Sequence, residues 1–256
     1  GKAKIGVLTD RTHTPTAIAE RMLEYGYDNY RMAVGELLGN TDERVRDMAL
    51  EEVRQTMFES PNCLILRQTS IKKRPLGIPE TGFHLLNGRA KMITKMPIRL
   101  LTLSMLDLHN RKSFWDVGFC TGSVSIEAKL QFPHLCVTAF EIREEGRELM
   151  EQNTHRFGVP GIEAVIGDFT QQDLSVYPLP DAVFIGGHGG KLEQILKIVS
   201  EVLLPSGVVV CNAVTVETLI LLQTLVPKYG FVFVQKTSIT IDEHHPIQVV
   251  KLLKQN

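Results

Sequence analysis

Between Ser113 and the end of the chain, short apolar runs alternate with amphipathic segments at a pitch that few folds accept. Strand-like runs occur at SFWDVG, VTAFEI, IEAVIGD, DAVFIGG, GVVVCN, FVFVQKTS and IQVVKLL, with segments such as EEGRELMEQNTHRFG and KLEQILKIVSEVLL between them. Strands and helices alternating in this way imply a mostly parallel sheet with helices on both faces, because each parallel connection must cross back over the sheet. The last two runs are joined only by IDEHHP, too short for a crossover, so they are expected to form an antiparallel hairpin at one end of the sheet.

The first part of the chain reads as βαβαβ: KIGVL, PTAIAERMLEYG, YRMAVGEL, DERVRDMALEEVRQTMF and NCLILRQ. Thr14 followed by Pro15 is a sound helix start, and Gly26 suits the helix end. From about Gln68 to about Gly88 prolines, glycines and basic residues replace periodicity, which predicts a linker or irregular crossover. With 256 residues, 43 % of them hydrophobic, the chain can form one large domain or two modest ones.

A formal net charge of −1 argues against a protein whose main work is gripping a nucleic acid backbone, since that affinity needs many uncompensated cations. No apolar run is long enough for a membrane span, and GKAKIGVLTD is too polar for a signal peptide, so a cytoplasmic protein is expected. Cys63, Cys120, Cys136 and Cys211 form no Cys-x-x-Cys pair, which predicts reduced, mostly buried thiols rather than a zinc site or a disulfide framework.

Five parallel strands closed by an antiparallel pair is the architecture of class I methyltransferases rather than of dehydrogenases. In such open sheets ligands bind beyond the carboxyl ends of the strands, where the strand order reverses. The first strand runs into WDVGFCTGSVSIEA, a turn containing Asp116, Gly118, Phe119, Cys120, Thr121 and Gly122 that leads into a helix. Glu141 ends the second strand, where a carboxylate can accept two hydrogen bonds from a ribose diol. Val137, Ala139 and Phe140 before it are apolar, which favours that role over a merely solvated carboxylate. Asp168 is placed to meet an adenine amino group, with Phe169 packing on the ring; a plain turn aspartate is the alternative. IGGHGG, residues 185–190, sets four glycines around His188, which suits close backbone approach to a ligand and a proton-moving side chain. His244 and His245 fall in the final hairpin loop, without a third metal ligand at close spacing, so no metal site is expected.

These residues lie in a sequence that resembles the precorrin-6Y C5,15-methyltransferase (decarboxylating) family of cobalamin biosynthesis. From about Met92 onward MITKMPIRLLTLSML, WDVGFCTGSVSIEA, AFEI, IGDF, FIGGHGG and NAVTVET resemble the C15-methylating, decarboxylating half. The combination of FIGGxGG with NAVTxET is far more specific than a glycine turn alone. VLTDRTHTPTAIA and GELLGNTDERV resemble the C-terminal part of the C5-methylating half. The resemblance divides the chain into residues 1–88, the end of a C5 methylase domain with its linker, and 89–256, a complete class I domain. The N-terminal part of the C5 half is missing, so C5 methylation is not expected of this chain alone.

By the same resemblance, S-adenosylmethionine would be contacted by Thr94, residues 118–122, Glu141, Asp168 and Phe169. Lys95, Arg99, His188 and Asn212 would face a precorrin, a ring rich in acetate and propionate groups that cations and free amides suit. Methyl transfer from a sulfonium to a nucleophilic meso carbon asks the protein to align the two and exclude water. Loss of carbon dioxide from the C12 acetate needs an electron sink, which the ring supplies, and a proton source, for which His188 is a candidate. A homo-oligomer is also expected by resemblance. The alternative from another class is a degenerate module that binds or channels a corrinoid without catalysis. An RNA or protein methyltransferase is a weaker reading, since no Asn-Pro-Pro-Tyr motif is present.

The family's turn usually has glycine at position 120 and a small residue at 119. If Cys120 adopts a left-handed backbone, it costs roughly 1 kcal/mol relative to glycine, weakening a cofactor site without abolishing it.

Overall fold

A computed structural model of the chain describes residues 2–89, 92–241 and 246–255. Its contacts define two compact units, one of Gly1–Arg74 with His155–Pro160 and one of Pro75–Thr154 with Gly161–Asn256.

The smaller unit contains β1 (Lys4–Leu8), α1 (Pro15–Glu24), β2 (Tyr30–Glu36), β3 (Arg44–Ala49), α2 (Leu50–Arg54) and β4 (Asn62–Gln68). Its strands pair antiparallel throughout, in the order β1-β4-β2-β3. Helix α1 starts where its sequence dictates: Thr14 Oγ1 accepts from the Ala17 amide at 3.2 Å, and Pro15 takes the first helical position. Ala19, Met32, Val34, Leu50, Val53, Leu64 and Leu66 form the core.

The helix expected over residues 42–58 is instead strand β3 followed by the short α2. A buried charge explains the difference. Glu36 is 1 % exposed, and Arg44 and Arg46 both reach its carboxylate, at 3.0 and 2.9 Å. Side chains two positions apart share a face in a strand but not in a helix. The strand therefore gives a desolvated carboxylate both of its cations, which a helix would not.

The larger unit is built from α3 (Met96–Leu106), β5 (Ser113–Val117), α4 (Ser123–Gln131), β6 (Cys136–Glu141), α5 (Glu145–Phe157), β7 (Ile162–Ile166), β8 (Ala182–Ile185), α6 (Leu192–Val202), β9 (Val208–Ala213), α7 (Val216–Lys228), β10 (Phe231–Ile239) and β11 (Ile247–Lys254). Its sheet has the order β10-β11-β9-β8-β5-β6-β7. Strands β5 to β9 pair in parallel, while β11 runs antiparallel to β9 and β10 antiparallel to β11, as expected of the hairpin. The chain proceeds outward from β5 to β7, then returns to β8 on the other side of β5, so the order reverses there.

Strand periodicity sorts the core into two layers. Trp115, Val117, Val183, Ile185, Val209 and Cys211 pack with Leu196 and Val199 of α6 and Leu222 of α7. Phe114, Ala182, Phe184, Val208 and Val210 pack with Ile98 and Leu106 of α3 and Val124 and Ala128 of α4. The cysteines are free and less buried than expected: Cys211 is buried, Cys63 and Cys120 are half-buried, and Cys136 is exposed at the start of β6. His244 and His245 lie outside the described residues.

The segment expected to be an irregular linker has one-turn helices at Glu80–Gly82 and Leu86–Gly88, yet Ile78, Phe83 and Leu86 are buried. Arg99 and Glu127, both without exposed side-chain area and 2.6 Å apart, hold it. Arg99 also donates to the carbonyls of Thr94, at 2.7 Å, and Ile78, and Glu127 accepts from the Gly77 amide. The resemblance puts Arg99 at the cleft; the structure buries it between α3 and α4 instead. Arg99→Met leaves a desolvated carboxylate without its cation and is expected to lose about 3–5 kcal/mol in urea unfolding. Arg99→Met with Glu127→Leu should recover much of that loss, and a single-variant loss below about 1 kcal/mol would show the pair to be dispensable.

Candidate functional site

The turn after β5 runs through Gly118 (φ 80°), Phe119, Cys120 (φ 52°) and Thr121 to Gly122 (φ 73°), which precedes α4. The amides of Gly118 and Phe119 both donate to the Phe140 carbonyl, at 2.8 and 3.2 Å, tying the turn to the end of β6. A Cβ on Gly118 would stand 2.5 Å from the Gly187 oxygen and 2.8 Å from its nitrogen. The turn after β5 thus passes with its bare backbone against Gly187 in the turn after β8, which explains the glycine at position 118. Cys120 takes the left-handed conformation considered above, and it is not a reactive thiol: burial, then the charge of Glu141, pushes its pKa up to about 11.

Three carboxylates lie around this turn. Glu141, 3 % exposed at the end of β6, accepts from the Cys120 amide on Oε2 at 2.8 Å. Its Oε1 accepts from the Arg143 amide at 3.1 Å and from Arg143 Nη1 at 2.9 Å. Asp116 is completely buried; its Oδ2 accepts from Ser125 Oγ at 2.6 Å, while Oδ1 has no partner among the described residues. Burial, aided by the charge on Glu141 and opposed by Ser125, pushes the Asp116 pKa up to about 7. Asp168 Oδ1 accepts from the Thr170 amide at 3.0 Å and Thr170 Oγ1 at 2.8 Å, and its Oδ2 is paired with Lys191. Lys191 and these Thr170 bonds hold the Asp168 carboxyl below its ordinary pKa.

A cavity of about 780 Å³ opens over the ends of these strands. It gathers most of the residues expected from the sequence: Thr94 and Lys95 before α3, Gly118, Phe119 and Cys120 in the first turn, Glu141, Asp168 and Phe169, His188 in the glycine run, and Asn212. Phe169 is 6 % exposed and packs edge-on against Phe140 at 5.0 Å, so most of its ring serves the core. Asn212 Oδ1 accepts from Thr102 Oγ1 at 3.4 Å. His188 is half-buried, which lowers its pKa, and its Nδ1 accepts from the Gly190 amide at 3.2 Å. Asp116, Thr121 and Gly122 do not line the cavity. Asp116 and Thr121 lie buried behind the turn, and Gly122 lies against Met150, whose Sδ would be 2.6 Å from a Cβ.

Sequence reasoning missed Arg143, Lys191 and an apolar wall of Val214, Ile239, Ile241 and Ile247. The two cations carried a signal, since each follows a candidate ligand-binding segment directly. The isoleucines carried none, because strand period alone does not tell which face of the hairpin meets the cavity.

A parallel sheet with an antiparallel final pair, and a cleft at the reversal of strand order beside a glycine turn and an acidic strand end, define a class I methyltransferase fold. Residues 87–254 match the precorrin methyltransferase domain family, and the chain belongs to that family. The precorrin-6Y C(5,15)-methyltransferase [decarboxylating] of a Sinorhizobium species is 32 % identical over 216 residues, 84 % of this chain and 52 % of that protein. The chain thus spans about half the length of that relative. The cobalt-precorrin-6B C(15)-methyltransferase (decarboxylating) of Salmonella typhimurium is 39 % identical over 134 residues, 52 % of this chain and 68 % of that protein. Among solved structures, the precorrin-6y C5,15-methyltransferase of Geobacter metallireducens superposes with a TM-score of 0.64 at 30 % identity, covering 72 % of this chain and 100 % of that one.

Two outcomes follow from the turn and the buried acid. Cys120→Gly removes a side chain from a left-handed position and should stabilise the domain by about 1 kcal/mol, read as a raised unfolding midpoint. Asp116 has a folded pKa above its unfolded one, so its contribution is fully present below about pH 4 and is lost as pH rises to about 7. Asp116→Asn should therefore flatten the stability profile between those limits and leave the protein at least as stable as wild type at pH 8. A variant that unfolds more readily at pH 8 would contradict a neutral acid at this position.

Proposed function

We propose that this chain methylates a precorrin at C15 with S-adenosylmethionine and decarboxylates its C12 acetate, which loses carbon dioxide and takes up a proton to leave a methyl group, a step of cobalamin biosynthesis. The observation that carries this reading is the polar end of the cavity, where the buried Glu141 carboxylate sits beside the Cys120 amide and the side-chain-free contact of Gly118 with Gly187. The activities for which the Sinorhizobium and Salmonella relatives are named support the reaction and substrate. The buried strand-end carboxylate and the retained Gly118 and Gly122 count against a degenerate, non-catalytic module, although Cys120 replaces one glycine of the family's turn.

The residues fit such a cofactor. Glu141 is an acceptor for a ribose diol, Asp168 for an adenine amino group, and a cavity of about 780 Å³ leaves room for a second, larger ligand. When bound, S-adenosylmethionine supplies an activated methyl group. Thr94, Gly118, Phe119, Cys120 and Phe169 would enclose the cofactor and exclude water. Lys95, Asn212 and the apolar wall of Ile239, Ile241 and Ile247 would face the substrate. Because the Gly190 amide donates to His188 Nδ1, the neutral ring holds its proton on Nε2, which lies 3.4 Å from Thr218 Oγ1 and would have to leave that partner to act as the proton donor we assign after decarboxylation. Residues 1–88 correspond in this reading to the end of a C5-methylating domain. The Sinorhizobium match supports this, since at 216 residues it extends beyond the 87–254 segment. Self-association fits the edge strand β10, which exposes Val232, Phe233 and Val234.

No helix among the described residues is long and apolar enough to cross a membrane. Titration calorimetry of the unliganded protein with S-adenosylhomocysteine should show saturable binding. Incubation with S-adenosylmethionine and a precorrin lacking the C15 methyl should give a product with one methyl gained and one carbon dioxide lost. Absence of S-adenosylhomocysteine binding would overturn the methyltransferase reading. Methylation with the acetate retained would overturn the decarboxylase half alone.

A further inference from the structure

A carboxylate offers about four lone-pair sites, two on each oxygen. In Glu141 three are taken: Oε1 accepts from the Arg143 amide and from Arg143 Nη1, and Oε2 accepts from the Cys120 amide. One site on Oε2 remains, whereas a ribose diol brings two hydroxyl donors. The carboxylate has little freedom to turn, because a Cβ on Gly146 in the first turn of α5 would already lie 2.8 Å from Glu141 Cγ. The two amides are fixed by the backbone, one in the turn after β5 and one at the end of β6. The Arg143 side chain is 45 % exposed and lines the same cavity, so it is the donor that can leave.

Resting on the reading of Glu141 as the ribose acceptor, we propose that the Arg143 guanidinium is a placeholder on Glu141 Oε1 that the ribose diol of the cofactor displaces. Arg143 is then a positioning residue. It holds the carboxylate in its binding rotamer and supplies charge compensation until the nucleoside arrives, and the cofactor competes with it for one acceptor site. A nucleoside with a single ribose hydroxyl needs only the remaining site on Oε2 and does not compete. The competition is electrostatic on one side only, because a half-exposed ion pair is weakened by salt while a hydroxyl hydrogen bond is largely indifferent to it.

The test is calorimetry on the whole chain and on Arg143→Met, using S-adenosylhomocysteine and its 2′-deoxy analogue at low and high ionic strength. The expected result is roughly two- to fivefold tighter binding of S-adenosylhomocysteine by the variant, the range set by a typical exposed ion pair. The deoxy analogue should bind both proteins equally. Wild-type affinity for S-adenosylhomocysteine should also rise with salt while that of the variant stays level. Weaker binding of both ligands by the variant would make Arg143 a permanent clamp and overturn the proposal, as would equal affinities throughout. A wild-type protein that binds neither ligand would overturn the methyltransferase reading itself, whereas a wild type that binds and a variant that binds less tightly overturns only the placeholder.

Discussion

The backbones of Gly118 and Gly187 touch, and much of the site depends on that contact. The turns after β5 and β8 belong to neighbouring strands at the point where the sheet reverses its order, and a side chain at position 118 would force them apart. Their approach brings the Gly118 turn under the Phe140 carbonyl, sets the Cys120 amide against Glu141, and leaves the glycine run with His188 on the opposite rim of the cavity. A methyl group at position 118 would have to move backbone rather than the end of a flexible side chain. Few positions in the chain are so constrained by so little matter.

Around that contact three carboxylates have three different electrostatic situations, set by what each can reach. Asp116 has one hydroxyl partner and no cation, so burial drives it toward the neutral acid. Glu141 has amides and a guanidinium and serves as an acceptor. Asp168 has Lys191 and is held as an anion. The same residue chemistry therefore yields an internal acid, an acceptor at the rim of the cavity and a bridge between the turns after β7 and β8. Further from the cavity, Arg99 and Glu127 form a fully desolvated pair in the α3–α4 layer that holds an irregular segment through its backbone, beside the buried Ile78, Phe83 and Leu86.

The larger sheet was legible in the sequence because its strands are apolar runs of regular spacing, and the hairpin because its loop is too short to cross over. The cavity's polar end was legible for the same reason: residues at the carboxyl ends of such strands have a known destination, so Glu141, Asp168 and His188 could be placed before any coordinates. Burial was harder to read. Arg99 carries the same charge whether it faces a cleft or a buried glutamate, and Asp116 looks like a strand-end ligand although it is fully buried between β6 and β8 with its carboxylate turned to Ser125 of α4. In the smaller unit DERVRDMALEEVRQTMF has helical composition, and only the buried Glu36, eight and ten residues before Arg44 and Arg46, selects the strand. Interactions between residues distant along the chain decided each of these cases, and local periodicity contains no record of them.

Strand β11 is inserted between β9 and β10, although it follows both in the chain. During synthesis β10 emerges with no neighbour to pair with, since its hydrogen-bonding partner in the sheet is β11. The exposed valines and phenylalanine of β10 must therefore wait, unpaired, until residues 247–254 are made. Ile247 opens that last strand and faces Ile239 in register, so the apolar wall of the cavity is also completed last. The residues of the acidic and glycine-rich end of the pocket thus leave the ribosome well before those of its apolar end.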